Sequence, residues 1–139
     1  MPIAVMLLAT SALLPFQLEG DAINQPLGGL KGDVARGRAL VASRSQSLCL
    51  LCHAAPIPEE RQQGNLAPDL AGVAQRLAEG QLRLRLVAPQ AVNAQTVMPA
   101  YYRAGPEAGL QRVARELEGR PILEAQQIED IVAYLGTLK

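Results

Sequence analysis

The chain has 139 residues with 13 basic and 13 acidic side chains, so its formal charge is zero and gives it no pull towards nucleic acid or an anionic membrane surface. Its length fits one domain. The apolar fraction is 49%, yet there is no Trp and only three Tyr and one Phe, so a core built from side chains alone would be aliphatic.

Ile3 to Leu14 is an apolar run too short to cross a bilayer and of the length of a secretory signal core, although no Lys or Arg precedes it. Residues 1–22 are therefore expected to be a signal segment, cleaved after Ala12 or near Gly20-Asp21-Ala22. Its loss would remove Glu19 and Asp21, making the mature chain slightly basic and leaving it without a membrane span. Residues 23–32, with Pro26, Gly28, Gly29 and Gly32, read as an extended arm, more naturally a disordered leader than a segment lying on a partner. Asp33 is a good N-cap for a helix over Val34 to Ser43, with Val34, Leu40 and Val41 as its apolar residues. Gly37 stands inside that helix at a cost of about 1 kcal/mol against Ala, which points to a close helix–helix approach.

Cys49-Leu50-Leu51-Cys52-His53 holds both cysteines and the only histidine. C-x-x-C-H is the attachment signature of c-type haem. Two thiols three positions apart on one turn can each form a thioether to a haem vinyl group, and the histidine that follows can ligate the iron. Two other chemistries use a C-x-x-C pair. A closed zinc site needs about four ligands, and no further Cys or His exists. A dithiol of the thioredoxin kind needs no adjacent histidine and sits in a βαβ context that this chain does not offer.

The loop from Ala54 to Gly64 leads into Asn65 to Gly72. Pro68 is a candidate neighbour of the haem, because its carbonyl can accept the Nδ1–H of His53 and leave Nε2 facing the iron. A turn proline near the start of a helix is the plainer reading, and the two are compatible. Asp69 is expected to cap a helix over Leu70 to Leu77, and a second helix runs from Gly80 to Ala88 before Pro89. Leu82-Arg83-Leu84-Arg85-Leu86 alternates like a strand, but no partner strand is evident. Its arginines read as a solvated face, or as contacts to a partner.

Met98 is the only methionine outside the signal segment. A lone methionine is usually core filler. Here, however, only Lys31, Lys139 or the amino terminus could otherwise supply a second axial ligand, and Pro99 would hold the Met98 loop extended. Tyr101 and Tyr102 could rest on the porphyrin edge or bond a propionate, as could Arg103 by charge. Leu110, Val113 and Leu117 suggest a short amphipathic helix ended by Gly119-Arg120-Pro121. The last helix, Glu124 to Leu138, carries an apolar stripe of Ile128, Ile131, Val132, Leu135 and Leu138, with Gln126, Glu129 and Asp130 off it.

Four blocks in this order carry a family resemblance: Leu48 to His53, Gly64 to Gly72, Met98 to Tyr102, and Pro121 to Leu123 with Glu129 to Leu135. From about Ala22 to Lys139 the chain resembles the SoxX family, the small monohaem subunits of SoxAX sulfur-oxidation cytochromes. The resemblance implies an all-α fold, a single class I cytochrome c domain over residues 33–139 around one covalent haem c. Cys49 and Cys52 would carry the thioethers, His53 and Met98 would be the axial ligands, and Pro68, Tyr101 and Tyr102 would surround the haem. In such a domain the first and last helices cross closely, so Gly37 is expected against Tyr134. The resemblance further implies a periplasmic heterodimer with a larger SoxA-type cytochrome. That complex joins thiosulfate to a cysteine of the SoxYZ carrier, and this chain would pass the electrons to a small cytochrome c. With both axial positions filled and no third cysteine or base–nucleophile pair, the residues fit electron transfer and place any bond chemistry on the partner. The alternatives are a freely diffusing electron carrier, a haem sensor or peroxidase with Met98 unbound, and a haem-free dithiol oxidoreductase.

Overall fold

Helices form where caps and apolar spacing agree. The computed structural model describes residues 13–104 and 115–139. Among these, α1 spans Val34–Ala42, α2 Val73–Arg76, α3 Glu79–Val87 and α4 Ala125–Leu135, with 3-10 turns at Leu27–Gly29, Cys49–Leu51, Pro89–Ala91 and Arg115–Leu117 and no strand. The part of the expected signal core before residue 13 and the expected helix from Leu110 as far as residue 114 lie outside the described residues. The alternating Leu82–Leu86 segment is helical, and α3 stops before Pro89, where a ring without an N–H would break it. The helix expected over Leu70 to Leu77 shrinks to α2. Asp69 does not cap it; Asp69 Oδ1 instead accepts Ala71 N at 2.8 Å, and Gly72, in the left-handed region at φ 68°, precedes the helix.

α1 and α4 cross at Gly37. A Cβ there would collide with the Asp130 carbonyl oxygen and come within 2.9 Å of the Tyr134 Cβ, so only glycine lets the two backbones meet. Gly32 makes the same close approach against Glu129 and Ala133. Ile128, Ile131, Val132 and Leu135 bury the α4 stripe as expected, against Leu40 and Val41 of α1 and Leu82, Leu84 and Leu86 of α3 in one aliphatic cluster.

The acids of α4 lie off the apolar stripe but are not exposed. Glu129 and Asp130 are 3% and 2% exposed. Asp130 closes the start of α1: its Oδ1 accepts Asp33 N at 2.8 Å, and Arg36 donates to both oxygens at 2.8 and 2.9 Å. Burial alone would raise the Asp130 carboxyl, but the Arg36 guanidinium and the Asp33 N–H outweigh it and hold it below its ordinary range. Glu129 takes two bonds from Arg83, at 2.8 and 2.9 Å, and a third from Leu27 N at 2.9 Å. Arg83 is therefore no part of a solvated face. It is 2% exposed and also donates to the Ile23 carbonyl at 2.8 Å, so the pair is bidentate and satisfied on both sides.

This network also decides the arm. Residues 23–32 are not extended throughout, since the 3-10 turn Leu27–Gly29 interrupts them, and they are no loose leader: Ile23 and Leu27 are each 1% exposed, and Ile23 N donates to the Gly80 carbonyl at 2.9 Å. Two well-placed aliphatic side chains and two bonds to a buried ion pair outweigh the glycines and proline that suggested disorder.

Candidate haem site

Leu48 stands in the left-handed region, φ 58°, an uncommon setting for a branched side chain, and turns the chain into the 3-10 turn Cys49–Leu51. Leu50 is buried and pins that turn to the core, whereas Leu51 is 57% exposed. His53 N closes onto the Cys49 carbonyl at 2.9 Å, so the motif coils once and carries both thiols and the imidazole on a single short unit. Cys49 and Cys52 form no disulfide with each other. Burial pushes the Cys49 thiol up, against a smaller opposing contribution from Ser47. A redox dithiol needs the reverse, a thiolate stabilised near neutral pH. Among the described residues no group of three or more His, Cys, Asp and Glu side chains is placed to hold a metal ion.

His53 Nδ1 lies 2.6 Å from the Pro68 carbonyl oxygen. That oxygen can only accept, so Nδ1 carries the proton and Nε2 keeps its lone pair for a metal. His53, Pro68 and Met98 share the lining of a cavity of about 420 Å³ whose walls include Val73, Leu82, Leu86 and Leu135. Met98 is half-buried against the core, its N donating to Thr96 Oγ1 at 3.2 Å and its carbonyl accepting from Gln90 Nε2 at 3.2 Å. Histidine and methionine thus face one apolar space, where a flat apolar cofactor would complete a core without large aromatic side chains.

Tyr101 and Tyr102 are both buried but do not line this cavity. The Tyr101 hydroxyl donates to the Ser47 carbonyl, two residues before Cys49, and the Tyr102 hydroxyl accepts Leu14 N at 2.8 Å. Their polar ends are thereby engaged within the protein. Burial, followed by the two nearby cysteines, pushes the Tyr101 hydroxyl well above its ordinary value, so it stays a proton donor. Gln90 and Ser47, passed over in the sequence, and Arg85, read there as part of a solvated face or a partner contact, belong to the surroundings of the site. Their roles depend on long-range contacts that no local pattern announces.

A family model for cytochrome c matches residues 34–139. The chain belongs to the cytochrome c family. Among solved structures, it is similar to a chain of the crystal structure of SoxXA from P. pantotrophus, with 32% identity, a TM-score of 0.80, and coverage of 89% of this chain and 94% of that one. It is a cytochrome of the SoxX type, and its cofactor is a covalently bound haem c. No curated protein matches the chain. No helix among the described residues is long and apolar enough to cross a membrane. The donor set passes a test of fit for haem c: two thiols and an imidazole on one turn, the imidazole tautomer fixed, and a thioether sulfur lining the same apolar cavity.

Proposed function

We propose that this cytochrome is the monohaem electron-transfer subunit of a SoxAX-type complex, in which Cys49 and Cys52 would carry the haem through thioethers and His53 Nε2 and Met98 Sδ would bind its iron. The observation that carries the reading is the single cavity bounded by His53, its tautomer fixed by Pro68, and by Met98. When bound, the haem supplies one-electron exchange at its iron. The chain's own residues do the rest. Pro68 fixes the imidazole, Gln90 and Thr96 hold the Met98 backbone, and Tyr101 braces the segment entering the cysteine motif. The leucine and valine walls exclude water and so favour the less charged, reduced iron.

The partner is a larger cytochrome of the SoxA kind, supported by the likeness to a chain of a SoxXA complex. Leu51, Leu66 and Val97 are 57%, 73% and 82% exposed, and each lies within two residues of a proposed haem residue. They supply apolar contacts where a partner would approach the haem edge. In that complex a sulfur–sulfur bond forms between thiosulfate and a cysteine of the SoxYZ carrier, the thiol proton leaves, and two electrons are released. The reacting centre is on the partner, and this subunit forwards the electrons one at a time to a small cytochrome c in the periplasm.

The test is to recover the C-terminally tagged protein from native periplasm and identify what remains bound. A second c-type cytochrome at one-to-one stoichiometry, with thiosulfate oxidation on the carrier by the pair, is the expected result. A red monomer with no partner at low salt would make it a diffusing shuttle. A high-spin iron that takes up carbon monoxide would remove Met98 from the ligand set.

A further inference from the structure

The haem cavity is apolar for most of its lining, but two arginines, Arg76 and Arg85, are among its lining residues. Their surroundings differ from those of the arginines on α1 and in the core. Arg36, Arg38, Arg44 and Arg83 each pair with a carboxylate, Asp130, Glu59, Glu60 and Glu129 respectively. Among the described residues neither Arg76 nor Arg85 does. Arg76 is exposed and spends Nη1 and Nη2 on the carbonyls of Ala71 and Asp69, at 2.9 and 2.7 Å.

Arg85 is half-buried on α3, between the buried Leu84 and Leu86. Its one hydrogen bond runs from Nη1 to the Gln81 carbonyl of the preceding turn at 3.0 Å. Nε and Nη2 have no partner among the described residues. The acid that lines the same cavity, Asp69, is turned to the Ala71 N–H at 2.8 Å. A cation left against leucine walls is costly unless an anion meets it, and a planar guanidinium with one edge free is shaped for a carboxylate.

We infer that Arg85 is the anchor for a haem propionate, with Arg76 adding positive charge to the same end of the cavity. The inference rests on the haem reading above and assigns a role that the sequence offered to Tyr101, Tyr102 and Arg103. The two tyrosine hydroxyls are spent elsewhere, while Arg85 is a lining residue of the cavity whose Nε and Nη2 have no partner among the described residues. The guanidinium neutralises one carboxylate beside the iron, keeps it ionised, and raises the potential by opposing the extra positive charge of the oxidised iron.

The test is the midpoint potential of the haem-loaded protein against pH. The titratable and charged groups lining the cavity are His53, Asp69, Arg76 and Arg85. The only histidine of the chain is a proposed ligand, so a slope between about pH 5 and 8 would report a propionate taking up a proton. In the unaltered protein the potential is expected to be flat across that range, and a slope there overturns the assignment without any variant. Arg85→Gln is expected to lower the potential and introduce the slope, while Arg85→Lys keeps the charge and most of the potential. Haem-loaded Arg85→Gln with an unchanged potential and pH profile overturns the Arg85 assignment alone, as does Arg85→Lys falling as far as Arg85→Gln. A wild-type chain that attaches no haem in a strain that matures other c-type cytochromes overturns the haem reading and this inference with it.

Discussion

Gly37 has a side-chain-free surface because the Asp130 carbonyl occupies the space. Gly37→Ala would gain helix propensity of about 1 kcal/mol and lose more through overpacking, by about 2–3 kcal/mol. A denaturant melt of the haem-loaded protein should show a net loss; equal midpoints would mean that the helices do not meet there. Met98 makes a different kind of demand. Met98→Ala leaves the thioether attachment in place, so haem should stay on the chain in a denaturing gel. The methionine-to-ferric-iron charge-transfer band should vanish and the iron should bind added imidazole. Survival of the band would take Met98 out of the ligand set. The site was legible at this scale because its chemistry is local: C-x-x-C-H spans five positions, and one methionine remains once the signal segment is set aside. Arg85 and Gln90 were not legible, since a polar residue beside an apolar cavity looks the same in sequence as one beside water.

At the level of elements, α4 gathers the fold through two acids. The Asp130 carboxyl is held below its unfolded value of about 3.9, so its stabilisation is fully present above that pH and is lost as pH falls through the lower folded value. Asp130→Asn should cost about 2 kcal/mol at neutral pH and flatten the acid limb of a stability-versus-pH curve. An unchanged acid limb would place the acid sensitivity elsewhere. Glu129 and Arg83 are a buried pair, and removing one partner strands the other. Glu129→Leu should cost about 3–5 kcal/mol, with Arg83→Leu added to it recovering much of the loss. Equal stability of the single and double variants would show that the carbonyl and amide contacts, not the pairing, matter. Helical spacing found α4 and its apolar stripe and left both acids off it, but gave no sign of their burial. A helix pattern tells which side is apolar and cannot tell that neighbouring segments bring a cation and a backbone amide to meet each acid.

For the whole molecule, the arm is part of the body. Leu14 N reaches Tyr102, and Asp21 Oδ2 accepts Gln81 Nε2 at 2.7 Å, so the residues before Ile23 also bond to the domain. Cleavage after Ala12 would preserve these contacts, whereas cleavage near Ala22 would discard them. The intact mass of the protein recovered from the periplasm should therefore correspond to a chain starting at Leu13 plus one haem. A start at Ile23 would show that the preceding contacts are dispensable. The glycines and proline of residues 23–32 concealed this packing from the sequence. They permit disorder, but Ile23 and Leu27 pay for order only once α3 and α4 are present.

The Glu129 and Asp130 contacts also set a clock. Leu27 and Asp33 find their partners 102 and 97 residues further along the chain, so the first helix and the arm must wait for the last helix to be made and delivered. Contacts of such long sequence separation carry a loop-closure cost before they give anything back, and slow a chain's search accordingly. Until that closure the Cys49–His53 segment lies on a chain whose two ends are unjoined, open to whatever machinery joins a porphyrin to it.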